Sequence, residues 1–193
     1  MNYLAHAYLS FGDPEVLAGN MISDFIKGKK KFDYPPRILA GIDFHREIDR
    51  FTDFHPISKG SADIYRPHYG LYCSAFIDVV YDHFLARQLA AEGQFKEFTD
   101  GVYWQLQKQI DLLPVGFARM LPYMIRDNWL FNYQYDDGIK HSFAGLVHRA
   151  AYLSDSVTAY QLLQKHYDQL NDDFRLFFPE LYNFSLRKYS DIH

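Results

Sequence analysis

The chain has one cysteine, Cys73, so no internal disulfide can form, and a reducing, cytoplasmic setting is the expectation. No apolar run approaches the roughly 20 residues of a membrane span, so no membrane association is expected. The opening MNYLAHAYLS has no basic stretch ahead of an apolar one, and no signal peptide is expected. Proline and glycine together are few, 8 and 11 of 193 residues, which excludes low-complexity or collagen-like character. There is no glycine-rich phosphate loop. Ser10, Ser74 and the other serines lack a nucleophile-elbow context, which sets aside Ser-His-Asp hydrolysis. Net charge is -4, which argues against general nucleic-acid binding.

Aromatics and histidine are plentiful instead. With 17 Phe and 16 Tyr the chain can bury a sizeable core, and 193 residues suit one domain over 1–193. Nine histidines accompany a marked excess of aspartate over glutamate, a mild sign of metal chemistry. Charge is unevenly spread. Residues 27–50 carry seven basic groups, among them Lys27, Lys29, Lys30 and Lys31, against four acidic ones. That segment is +3 and the remainder, 13 basic against 20 acidic, is -7.

Periodicity predicts helices almost throughout, and hence a single all-α helical bundle. Asp13-Pro14 places an N-cap before a proline at the first helical position, opening a helix to about Ile26. Pro35-Pro36 opens another through about Asp53, where Pro56 is expected to block continuation. Ser61–Tyr65 reads as a short helix and Leu71–Ala91 as a long one ended by Gly93. Further helices are expected over Phe95–Ile110, Pro114–Phe131 and Asp137–Leu153. Asp155 or Ser156 would cap one to about Tyr167, and Asn171 or Asp172 the last, to about Lys188.

Four segments of the N-terminal half set His and Asp into apolar patterns: His6; Asp24; His45 with Asp49; and Asp82-His83. His45 and Asp49 stand at i,i+4, so both project from one helical face, where they can share an ion or simply bond to each other. Asp82 and His83 fall at the edge of a buried stripe, where an Asp needs a partner or a metal. Asp24 near a helix C-terminus is opposed by the macrodipole and needs compensation, from an ion or from Arg46. His6 among Leu4, Ala5 and Leu9 reads as a core residue or as a ligand. Helices in a bundle can bring such residues from separate segments to one point. Mixed imidazole and carboxylate ligation suits Mn²⁺, Fe²⁺, Zn²⁺ or Mg²⁺, and the lack of a cysteine set excludes a zinc finger. Such an ion would lower the pKa of bound water, and Arg46 could hold a phosphate oxygen, which together describe metal-assisted phosphoester hydrolysis. His141, His148 and His166 have no comparable Asp partner, and Cys73 has no support as a reactive thiol.

The stretches MNYLAHAYLS (1–10), GNMISDFIKG (19–28), GIDFHREIDRFTDFHP (41–56) and DVVYDHFLAR (78–87) resemble, in order and spacing, the acyl carrier protein phosphodiesterase family. That family is all-helical and distantly similar to HD-type metal phosphohydrolases. The resemblance implies hydrolysis of the phosphodiester joining 4′-phosphopantetheine to a serine of holo-acyl carrier protein, with Mn²⁺ as the preferred ion and a place in fatty acid biosynthesis. It implies Asp24, His45, Asp82 and His83 as the site, His6 and Asp49 next, and an acidic carrier protein as partner. HD enzymes are named for a His-Asp dipeptide, whereas this chain has Asp82-His83 in reverse order. Two other readings stay open at this point: the same chemistry on another small phosphoester, and a non-catalytic domain binding an acidic partner through Lys27–Lys31.

Overall fold

Asp13 accepts the backbone N–H groups of Glu15 and Val16, and Pro14 stands at the first helical position, so the second helix begins where the sequence places it. The computed structural model describes residues 1–150 and 152–192. Its described helices, in order, are α1 (Tyr3–Tyr8), α2 (Pro14–Ile22), α3 (Pro36–Phe54), α4 (Pro56–Tyr69), α5 (Cys73–Glu92), α6 (Phe95–Lys108), α7 (Val115–Arg126), α8 (Trp129–Asn132), α9 (Asp136–Arg149), α10 (Val157–Lys165) and α11 (Tyr167–Ser190). No strand occurs among the described residues, and no described helix is long and apolar enough to cross a membrane. The chain is all-α, as the periodicity predicts.

Several boundaries differ from expectation for definite reasons. α2 stops at Ile22, and Ser23–Phe25 tightens into a 3₁₀ turn that carries Asp24. Pro56 does end α3, but it then serves as the first residue of α4, whose length is four turns rather than one. Pro67 sits near the end of that helix, and the amphipathic packing of Ser58, Ser61, Ala62 and Tyr65 holds it together. Asn128 adopts a left-handed conformation (φ 46°) and splits the expected Pro114–Phe131 helix into α7 and α8. His166 marks the break between α10 and α11. α9 ends at Arg149; residue 151, within the helix read to Leu153, lies outside the described residues, as does residue 193.

One continuous core joins these helices, with Tyr65, Phe76, Tyr81, Phe117, Phe143 and Phe177 among its fully buried side chains. The tightest crossing is between α2 and α3. A Cβ on Gly19 would clash with the Ile38 carbonyl and lie 2.8 Å from the Gly41 Cα, and a Cβ on Gly41 would lie 2.5 Å from the Val16 carbonyl. Two glycines facing each other thus let the two backbones touch. That contact sets the Asn20 carbonyl of α2 beside His45 of α3, which is the structural basis of the site.

Candidate active site

α1 supplies His6, α2 Asn20, the Ser23–Phe25 turn Asp24, and α3 His45 and Asp49. His6 and His45 stack with ring centroids 3.9 Å apart and planes 14° from parallel. Both rings are held from behind by one residue. Asn20 donates its side-chain N–H to the His6 carbonyl and to Ser10 Oγ, which leaves Asn20 Oδ1 to accept the His6 Nδ1–H at 2.8 Å. His45 Nδ1–H donates to the Asn20 backbone carbonyl at 2.7 Å. With both Nδ1 atoms donating, both Nε2 atoms of the neutral rings present lone pairs on the same side.

These lone pairs face carboxylates. His6 Nε2 is 3.1 Å from Asp49 Oδ1, and His45 Nε2 is 3.0 Å from Asp49 Oδ2 and 3.3 Å from Asp24 Oδ1. Neither oxygen near His45 lies where a ring N–H would point, so this buried nitrogen has no hydrogen-bond partner. A lone pair aimed at carboxylates calls for positive charge between them. The protein shows that demand in its proton equilibria. Burial would depress His45, yet Asp24 and Asp49 raise it to about 9. Burial, and then the His45 charge, push His6 down to about 4. Burial would raise Asp49, but the Met1 α-ammonium and the imidazoles hold it far below the carboxylate range. His45 also holds Asp24 below that range, while Asp24 itself is exposed at the rim. Ligand atoms of His6, His45 and Asp49 all lie within 4.8 Å of one another, so these three could hold a metal ion. Imidazole nitrogens oriented through Nδ1, plus carboxylate oxygens and no thiolate, are a donor set that fits a divalent cation.

The remaining sequence candidates stand apart from this cluster. Asp82 is fully buried, and its two oxygens accept the Leu4 and Ala5 N–H groups at 2.7 and 3.1 Å. It therefore caps α1, whose own N-cap, Asn2, makes no side-chain cap bond. His83 Nδ1–H donates to the Tyr133 carbonyl, and its Nε2 accepts the Tyr167 hydroxyl, so both ring nitrogens are occupied. Arg46 donates to the Ile26 carbonyl at 3.5 Å and stands 3.6 Å from Asp43. Lys31 pairs with Asp43 at 2.7 Å, while Lys27, Lys29 and Lys30 are exposed. Sequence reasoning passed over three participants. Asn20 carries no spacing signal inside its apolar run. Asp78 lies one turn before Asp82, on the same face of α5. It pairs at 3.1 Å with the Met1 α-ammonium, which also lies 3.3 Å from Asp49. Asp24, Met1 and Asp78 open onto a cleft of about 380 Å³ that is also walled by Tyr3, Ala75 and Arg149.

Fold and geometry thus define an all-helical domain with a buried pair of imidazoles converging on a carboxylate beside an open cleft. The family model described as acyl carrier protein phosphodiesterase matches residues 1–181, and the chain belongs to that family. It is 33% identical over 184 residues to the acyl carrier protein phosphodiesterase of Klebsiella pneumoniae, covering 94% of this chain and 95% of that protein. The proteins of the same name from Escherichia coli and Yersinia pestis are 31% and 30% identical, over 97% and 94% of this chain and 99% and 95% of theirs. No solved structure matches the chain.

Proposed function

We propose that the chain hydrolyses the phosphodiester joining 4′-phosphopantetheine to a serine of holo-acyl carrier protein, in the cytoplasm. In this reading His6, His45 and Asp49 hold a divalent ion, Mn²⁺ by preference, with Asp24 at its open side. The carrying observation is that two oriented Nε2 atoms converge on Asp49 while one of them, on His45, is buried without a partner. The names of the relatives supply the carrier protein and the type of bond, a phosphodiester, and the resemblance implies the 4′-phosphopantetheine linkage. Bound there, a divalent ion polarises phosphoryl oxygens and lowers the pKa of bound water.

The chain's own residues have separable tasks. Asn20 fixes both rings so that their Nε2 atoms face Asp49 and, for His45, also Asp24. Asp82 fixes the start of α1 and hence His6, as a positioning residue. Asp24 stays ionised at the rim and accepts a hydrogen bond from the attacking water. Arg46 and His83 have no task in this reading, since their contacts are with Ile26 and Asp43 and with Tyr133 and Tyr167. Mass spectrometry of holo-acyl carrier protein incubated with the chain and Mn²⁺ tests the reading. The expected product is carrier protein lighter by one phosphopantetheine. Carrier protein of unchanged mass after prolonged incubation overturns it.

A further inference from the structure

The cleft beside Asp24 shares walls with a neighbour. Asn2, Tyr3 and Arg149 also line a second, larger cavity of about 530 Å³. Its far walls come from the α8 region, with Trp129, Asn132 and Tyr133, and from α9, with His141 and Ser142. The volume is that of a small-molecule site, in the range of about 300–1,000 Å³.

Three side chains on the α8–α9 side of the second cavity offer acceptors. His141 donates Nδ1–H to the Asp137 carbonyl, which leaves Nε2 as an acceptor. Ser142 donates its hydroxyl to the Gly138 carbonyl, so its oxygen acts as an acceptor, with the Tyr133 hydroxyl as a neighbour. Asn132 donates Nδ2–H to the Asp127 carbonyl, which leaves Oδ1 as an acceptor. Three acceptors and the faces of Trp129 and Tyr133 suit a slender ligand that carries N–H or O–H donors along an aliphatic chain. Where the two cavities meet stands Arg149, and among the described residues no carboxylate pairs with its guanidinium within 4 Å. With the Tyr3 hydroxyl beside it and no carboxylate, this guanidinium suits a phosphate.

We infer that the second cavity receives the pantetheine arm of the scissile phosphodiester, with Arg149 on a phosphate oxygen at its mouth. The inference rests on the phosphodiesterase reading for the identity of the arm. The arm's hydroxyl and two amide N–H groups meet the three acceptors, and its aliphatic portion lies on the aromatic faces. The phosphorus is thereby set at the junction next to Asp24, and the carrier protein stays outside.

Gly145 gives a direct test. It lines the second cavity on α9, and a Cβ built there meets nothing within 4 Å. Gly145→Phe fills the space, whereas Gly145→Ala leaves most of it open. Binding of 4′-phosphopantetheine is measured by calorimetry with Mn²⁺ present, with helix content and Mn²⁺ binding as controls for folding. Wild type and Gly145→Ala are expected to bind alike, and Gly145→Phe about tenfold more weakly or worse. Arg149→Gln is expected to weaken 4′-phosphopantetheine about fivefold or more while leaving pantetheine, which lacks the phosphate, unchanged. No binding by wild type, or equal binding by wild type and both Gly145→Phe and Arg149→Gln, overturns the inference. Cleavage of holo-acyl carrier protein by wild type is followed in parallel. Binding that is lost in Gly145→Phe, without any such cleavage, would uphold the cavity and overturn the phosphodiesterase reading alone.

Discussion

Replacing Asp82 with Ala leaves the Leu4 and Ala5 N–H groups at the start of α1 without their acceptor. Both bonds are buried, and Asn2 offers no cap bond in exchange. A buried donor left unsatisfied costs about 1–3 kcal/mol, so the pair should cost about 2–6 kcal/mol. Against a domain stability of about 5–15 kcal/mol this is a large fraction. Urea unfolding followed by circular dichroism measures it. Asp82→Asn keeps one acceptor and should lose about half as much. The same residue gives a pH signature. Burial pushes the Asp82 carboxyl up to about 7, against the two N–H groups and the Met1 ammonium. In the unfolded chain it titrates near 4. Between these values the folded chain holds a proton that the unfolded chain has released. Stability should therefore fall as pH rises from about 4 to about 7, by up to about 1.4 kcal/mol per pH unit for this one proton. Asp82→Asn, which cannot titrate, should show a shallower slope in that window. If Asp82→Ala were as stable as wild type to within about 0.5 kcal/mol and yet lost Mn²⁺ binding, Asp82 would be a ligand and not a cap.

Gly19→Ala should destabilise by more than about 2 kcal/mol in the same urea assay, because its Cβ would meet the Ile38 carbonyl and force α2 from α3. It should also weaken Mn²⁺ binding, since the Asn20 carbonyl moves with α2; an unaffected variant would show that the crossing is not what orients His45. Chelation with EDTA should stop carrier-protein hydrolysis, and Mn²⁺ should restore it better than Zn²⁺; full activity in a metal-free preparation would end the metal-dependent mechanism. Changing Lys29, Lys30 and Lys31 together to Ser should raise KM for the acidic carrier protein at low salt, with the effect fading as screening sets in at a Debye length of about 8 Å. An unchanged KM would return those lysines to a solvated turn without a docking role.

What the sequence discloses here depends on how locally each feature is determined. α3 is legible because Pro36 sits at its first turn and Ile38, Ile42 and Ile48 repeat on one face. His45 and Asp49 come with it, since their i,i+4 spacing survives any tertiary arrangement. α1 is not legible: six residues make a marginal helix, and its cap comes from Asp82, on α5. The Asp82-His83 pair looks like ligands in the sequence although the structure makes Asp82 a cap and ties His83 to Tyr133 and Tyr167, since a buried polar residue must be partnered and the pattern does not say with what. Asn20 was invisible because its role, orienting two rings through one side-chain oxygen and one carbonyl, depends on a glycine-mediated crossing. The breaks at Asn128 and His166 follow from single backbone angles and packing, which periodicity does not encode.

The most direct measurement is Mn²⁺ binding by wild type and His45→Ala, followed through the electron paramagnetic resonance signal of the free ion. Wild type should bind the ion, and His45→Ala should bind it at least about a hundredfold more weakly while keeping its helix content and losing hydrolysis of holo-acyl carrier protein. Equal Mn²⁺ binding by the two proteins, or hydrolysis by His45→Ala at wild-type rates, would contradict a metal centre built on His6, His45 and Asp49.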